Sequence, residues 1–124
     1  MSQVLIVDDS DSVRAQMEHL VRELNHQVTA VASGRDAIAH AQSGTPFDLL
    51  ITDIFMADMD GLETIEKVRA ILPTIKIIAV SGGGVGMPGN VMLNIAKDIG
   101  AAHTLPKPFL PEELQSAVRL VLAS

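Results

Sequence analysis

At 124 residues, 48% hydrophobic and 19% charged, the chain is sized for one domain with its own core and is too apolar to be disordered. Nine Lys+Arg against 15 Asp+Glu give a formal net charge of −6, which argues against direct nucleic-acid binding through the phosphate backbone. Cysteine is absent, which excludes disulfides and thiolate metal sites. The opening MSQVLIVDD has no secretory-signal pattern and no apolar run reaches a membrane-spanning length, so the expectation is a soluble, cytoplasmic protein without membrane insertion.

Short apolar runs alternate with longer helical patterns, the signature of βα repeats on a parallel sheet. The first strand is expected at Gln3–Val7, followed by a helix capped between Ser10 and Ser12, with Val13, Met17, Leu20, Val21 and Leu24 on its apolar stripe. A second strand is expected at Gln27–Val31 and a shorter helix from Gly34 that buries Ala37, Ile38 and Ala41. The third strand, Asp48–Thr52, leads to a helix opened by Asp60 with Glu63 in a capping-box-like pair and stopped by Pro73. The fourth strand is expected at Ile75–Val80, with a fourth helix marked by Met92, Ile95, Ala96 and Ile99 and ended by Gly100 as a left-handed cap. The fifth strand, Ala102–Leu105, precedes a last helix with Pro111 in its first turn and Leu114, Ala117, Val118 and Val121 on its buried stripe. Nearly continuous apolar strands such as Val4–Val7 predict a sheet covered on both faces. No repeat or linker is visible, so residues 1–124 are expected to form a single domain.

The chemistry-bearing residues fall where strands end. Asp8 and Asp9 follow VLIV, Asp53 follows LLIT, Ser81 follows IKIIAV, and Lys107 stands between two prolines after the fifth strand. Ligands of open parallel sheets bind outside the carboxyl ends of the strands. With the first and third strands as neighbours, three carboxylates face one another, and a hard cation relieves their repulsion. Mg²⁺ suits such a set, because it takes a few carboxylates, keeps waters and accepts phosphate oxygens; Mn²⁺ is the alternative ion.

Four pieces, LIVDDS, DLLITDIFMADMDGLE, AVSG and GAAHTLPKPF, occur in order with consistent spacing, and on them the chain resembles the receiver domain of two-component response regulators over essentially its full length. The resemblance implies a flavodoxin-like, doubly wound (βα)5 α/β fold with a five-stranded parallel sheet in the order 2-1-3-4-5. It implies that Asp53 is the phosphoacceptor, and that Asp9, Asp53 and the backbone carbonyl of Phe55 ligate Mg²⁺ with Asp8 helping through a water. Ser81 then takes the place of the switch Ser/Thr, and Lys107 is the lysine that pairs with phosphate, joined to Pro108 by a cis bond. The implied partners are a sensor histidine kinase or histidine phosphotransfer protein, and an output protein on the face of the fourth helix, fifth strand and fifth helix. Such a domain is a signalling phosphoacceptor with self-catalysed transfer and slow hydrolysis, not a turnover enzyme.

Two rivals come from other classes. One is an interaction module that keeps the fold without phosphorylation, which the intact acidic set, Ser81 and Lys107 speak against. The other is a haloacid-dehalogenase-type phosphatase using Asp9 in Asp9-Ser10-Asp11-Ser12-Val13, for whose substrate cap 124 residues leave little room. The match of Gly84 to Gly89 to G-x-G-x-x-G follows the fourth strand and lacks the acidic ribose partner about 20 residues on, so it reads as a loop. Asp11 and Asp60 read as helix caps, His19, His26, His40 and His103 as surface residues, and Met17 and Met92 as core, while Met56 and Met59 lie by the acceptor loop. The chain departs from the family at Thr104, where an aromatic is usual, at Ala57, where a proline is common, and in the glycine-rich stretch from Gly82 to Gly89, whose ordering is expected to supply part of the switch.

Overall fold

Five apolar runs become strands: β1 (Gln3–Val7), β2 (Gln27–Val31), β3 (Leu49–Asp53), β4 (Lys76–Ser81) and β5 (His103–Pro106). In the computed structural model, whose described residues are 1–54, 56, 61–81, 94, 97–98 and 100–123, they form one parallel sheet in the order β2-β1-β3-β4-β5. This is the expected doubly wound α/β order. The first two strands keep their expected bounds, and the last three each begin and end one residue later. The reason is that a backbone ladder ignores side-chain polarity: Asp53 pairs with Val80 and Ser81 with Pro106, although the apolar runs have ended.

Helices α1 (Asp11–Arg22), α2 (Gly34–Gln42), α3 (Gly61–Ile71) and a C-terminal helix (Pro111–Leu122) surround the sheet. Ser10 caps α1, its hydroxyl accepting from the Val13 amide, and Ser33 caps α2 by accepting from Asp36. Asp11 was expected to cap; it is instead the first helical residue, and its carboxylate accepts from Arg14. Ser10 holds the extended conformation that an N-cap needs, at φ −83° and ψ 117°, which leaves Asp11 inside the first turn. At the C-terminal helix the Glu113 carboxylate reaches back to the Leu110 amide at 2.7 Å, while the Leu110 side chain can accept nothing in return. Of the fourth expected helix, residues 94, 97 and 98 are helical, and Met92, Ile95, Ala96 and Ile99 lie outside the described residues. So do Asp60, Met59, Ala57 and the whole of 82–93. Gly100 ends that segment at φ +114°, its amide donating to the Lys97 carbonyl, as a left-handed terminus requires.

Alternate residues of each central strand enter opposite layers, because successive side chains point to opposite faces. Val4, Ile6, Leu49, Ile51, Ile78, Val80 and Leu105 pack against Met17, Leu20 and Val21 of α1 and against Leu114, Ala117, Val118 and Val121 of the C-terminal helix. Leu5, Val7, Leu50, Ile77 and Ala79 pack against Ala37 and Ala41 of α2 and Ile65 and Val68 of α3. Each fully buried Leu- or Ile-sized side chain contributes about 1.5–3 kcal/mol. The two layers hold the strand ends at fixed heights. No helix among the described residues is long and apolar enough to cross a membrane.

Candidate functional site

The register that pairs Val7 with Thr52 brings Asp8, the residue after β1, beside Asp53, the last residue of β3. One carboxylate oxygen each from Asp8, Asp9 and Asp53 lie within 4.8 Å of one another. Asp8 is fully buried, Asp53 is 5% exposed, and Asp9 is exposed at the rim. Lys107 arrives from the far side of the sheet, where its Nζ donates to Asp8 Oδ2 at 2.8 Å and to Asp53 Oδ2 at 3.0 Å. The two buried carboxylates therefore share one ammonium, with Asp9 beside them at the rim. Burial pulls the Lys107 pKa down, but the hydrogen bond to Asp8 and the charge and hydrogen bond of Asp53 outweigh it and raise the value above 10.5.

Each member is held by backbone. The Lys107 amide donates to the Ser81 carbonyl at 2.9 Å, and the Lys107-Pro108 bond is cis. Ser81 is buried at the carboxyl end of β4, opposite Pro106 on the edge strand β5. That edge position tolerates a proline, which has no amide to offer a further strand. Asp53 is fixed from behind by Gly61, the first residue of α3. The Gly61 amide donates to the Ile54 carbonyl at 2.8 Å, and a Cβ on Gly61 would run into the Asp53 carbonyl oxygen and the Ile54 Cα. Only a glycine lets α3 start this close to the strand end.

All four polar handles of Asp8 are engaged. Its amide donates to the Val31 carbonyl at 3.2 Å, and its Oδ1 accepts from the Ser10 amide at 2.8 Å. Its Oδ2 accepts from Lys107, and its carbonyl accepts from Arg14 Nη1 at 2.9 Å. Sequence reading missed Arg14. The available signal was a basic residue in the first turn of the helix that follows the acidic pair, close enough to fold back on it.

Asp8, Asp9, Asp53 and Lys107 thus meet as expected, with Ser81 on the adjoining strand end. Phe55, expected to offer its carbonyl, lies outside the described residues, as does the glycine pattern from Gly84 to Gly89. None of the histidines belongs to the acidic group: His19 lies 3.6 Å from Glu23 on α1, and His26 Nδ1 accepts from the Ser2 amide. Met17 is fully buried and Met56 packs half-buried on the core. Thr104 is half-buried in β5, opposite Ala79. A mostly apolar cleft of about 400 Å³ is lined by Val13, Gln16, Pro108 and Phe109 together with Lys107 of the site.

Oxygen donors only, three carboxylates close together and an ammonium alongside form a set for a hard divalent cation and a phosphoryl group. Comparison with known proteins points the same way. Residues 4–119 match the family model described as the response regulator receiver domain. The chemotaxis protein CheY of Listeria monocytogenes is 33% identical over 119 residues, covering 95% of this chain and 96% of that protein. The DNA-binding transcriptional regulator NtrC of Azospirillum brasilense is 31% identical over 123 residues, covering 98% of this chain, which spans only 24% of that protein's length. Among solved structures, the chemotaxis response regulator CheY4 of Vibrio cholerae superposes with a TM-score of 0.85 at 32% identity, covering 98% of both chains. With its sheet order, its acidic pocket of Asp8, Asp9 and Asp53, and Lys107 across it, the chain belongs to the response regulator receiver domain family.

Proposed function

We propose that residues 1–124 act as one receiver domain that takes a phosphoryl group onto Asp53 from a phosphohistidine. The observation that carries this reading is the Lys107 ammonium shared between buried Asp8 and Asp53 at the carboxyl edge of the sheet. In the transfer, an Asp53 carboxylate oxygen attacks phosphorus, the P–N bond to the donor imidazole breaks, and the departing ring nitrogen keeps the bond's electron pair. With the donor ring protonated at its other nitrogen, an acyl phosphate and a neutral imidazole result. The chain's part is positioning and charge, which is most of what phosphoryl transfer asks of a protein. Lys107 stands where it can follow the transferred oxygens, exchanging a carboxylate partner for phosphate. Ser81, one strand over, offers its hydroxyl to the product.

Mg²⁺, or Mn²⁺ in its place, would be held by Asp9, Asp53 and the Phe55 carbonyl and would neutralise charge on the phosphoryl oxygens. The donor set fits that ion: both Asp8 oxygens already accept hydrogen bonds, which suits Asp8 to a role through a water. The donor is a sensor histidine kinase or a histidine phosphotransfer protein, and the apolar cleft bordered by Val13, Pro108 and Phe109 gives it a surface that reaches Lys107. An added charge of about −1.5 to −2 at Asp53 then biases the face of the fourth helix, β5 and the C-terminal helix toward an output protein. The domain works in the cytoplasm as a signalling acceptor, with slow self-catalysed hydrolysis and no other turnover.

The test is treatment with acetyl phosphate or beryllofluoride in Mg²⁺, read by intact mass and amide chemical shifts, with Asp53→Asn beside the wild type. The wild type gains one phosphoryl group, and Asp53→Asn gains none. An unresponsive wild type points to an unphosphorylated interaction module. An adduct that survives Asp53→Asn and disappears in Asp9→Asn points to the phosphatase reading.

A further inference from the structure

Arg14 makes contacts that a surface arginine does not need. Its side chain is 22% exposed, whereas that of Asp11, the carboxylate it pairs with on α1, is 90% exposed. An exposed helical pair of this kind is worth a few tenths of a kcal/mol and gives no reason to bury the guanidinium. The buried half of the grip is the hydrogen bond from Nη1 to the Asp8 carbonyl. That carbonyl belongs to the peptide joining Asp8 to Asp9. Because a peptide group is planar, fixing its oxygen also fixes the direction of the Asp9 amide and the place of the Asp9 Cα. The Asp8 carboxylate and amide are held by Ser10, Lys107 and Val31, and Arg14 adds a restraint on the carbonyl, at the exit from Asp8 to Asp9.

We propose that Arg14 is a positioning residue for the cation site, orienting the Asp8-Asp9 peptide so that the exposed Asp9 carboxylate faces Asp53. The proposal rests on the cation-dependent acceptor reading above. Its fork is what the task requires: one Nη holds the Asp8 carbonyl while the other is anchored and neutralised by Asp11. Partners that orient metal ligands in this way carry a large share of metal affinity although they never touch the ion.

A sign separates this role from plain electrostatics. As a bare positive charge near the site Arg14 would repel Mg²⁺, and its removal would tighten binding. As a positioning residue its removal weakens binding. Mg²⁺ is titrated calorimetrically into the full chain at fixed ionic strength for wild type, Arg14→Met and Arg14→Lys, with metal-free melting and circular dichroism alongside. Met keeps the aliphatic stem and helix propensity but no donors. The expected result is roughly tenfold weaker Mg²⁺ binding in Arg14→Met. Arg14→Lys, with charge but no fork, is expected to recover part of the loss, to about threefold below wild type. Binding in Arg14→Met as tight as wild type, or tighter, overturns the proposal. If that variant does not fold, Arg14→Lys decides, and equal affinity to wild type overturns it. A wild type that takes up no Mg²⁺ removes the acceptor reading as well, whereas normal wild-type uptake with unchanged variants removes this proposal alone.

Discussion

The two ends of the sheet carry polar residues of similar kind and use them in opposite ways. At the amino end, Asp48 Oδ2 accepts from the Gln3 amide at 2.9 Å and His26 Nδ1 accepts from the Ser2 amide at 3.1 Å. Each side chain there meets a backbone donor that needed a partner, and the arrangement is locally satisfied. At the carboxyl end, one carboxylate oxygen each from Asp8, Asp9 and Asp53 lie within 4.8 Å, and a lysine bridges the two buried ones. Folding alone gives no reason to bring them together. Crowded carboxylates mark the end where the acceptor site is proposed, and polarity matched to backbone donors marks the end that holds the chain.

The sharpest way to break that contrast is to remove the ammonium that bridges Asp8 and Asp53. Lys107→Met leaves buried Asp8 and Asp53 facing each other, and the expected loss at neutral pH is about 2–3 kcal/mol, reduced from the fully buried case because Lys107 is partly exposed. Urea denaturation without divalent metal measures it. The Lys107 pKa is raised on folding, so the wild-type contribution is complete below 10.5 and fades as pH climbs through the raised value. The gap between wild type and Lys107→Met should therefore close in strong alkali. A gap that stays flat from neutral pH into strong alkali would show that Lys107 is held by packing and not by charge.

A middle-sized effect tests the two ends against each other by sign. Asp9→Asn removes one carboxylate from the crowd, so metal-free stability should rise by about 1 kcal/mol. Asp48→Ala removes an acceptor from the Gln3 amide, so stability should fall by about the same amount. Adding Mg²⁺ should raise the wild type and Asp48→Ala through linkage and leave Asp9→Asn where it was. Urea midpoints with and without Mg²⁺ decide the matter. Two losses of stability would mean that the carboxyl end is balanced as well.

What could be read from the sequence follows the same division. Strand order and layers were legible because Val4–Val7 and Ile75–Val80 are apolar throughout and the helical stripes at Met17–Leu20–Val21 and Leu114–Val118–Val121 keep a strict period. The acidic group was legible because its members sit one after another at strand ends, where topology alone makes them neighbours. The limits of the last three strands were not, since the pairings of Asp53 and Ser81 depend on backbone groups that every residue carries. The choice between Ser10 and Asp11 as cap was closed by dihedral angles, because both residue types cap equally well. Arg14 was invisible for a related reason. Its acceptor is a carbonyl, and a side chain that meets backbone leaves no partner residue type to search for.

The smallest expected effect sits at the quiet end, on His26. Burial holds its pKa below the ordinary 6.5, the positive N-terminus lowers it further, and Asp48 opposes both without prevailing. Nδ1 must stay unprotonated to accept from the Ser2 amide, so the fold favours the neutral ring. The sign follows from linkage. Above 6.5 the ring is neutral in both states and the Ser2 bond is intact; as pH falls through 6.5 toward the lowered value, the unfolded chain binds a proton that the folded chain refuses, and stability drops. His26→Gln keeps an acceptor without a titration, so wild-type minus variant stability should decline as pH falls through 6.5 and level off below the lowered folded-state value. The decline should be the same with and without Mg²⁺, since His26 is held at the end of the sheet opposite the acidic group. A Mg²⁺-dependent decline would mean that the two ends of the sheet are coupled, and that the division drawn between them is wrong.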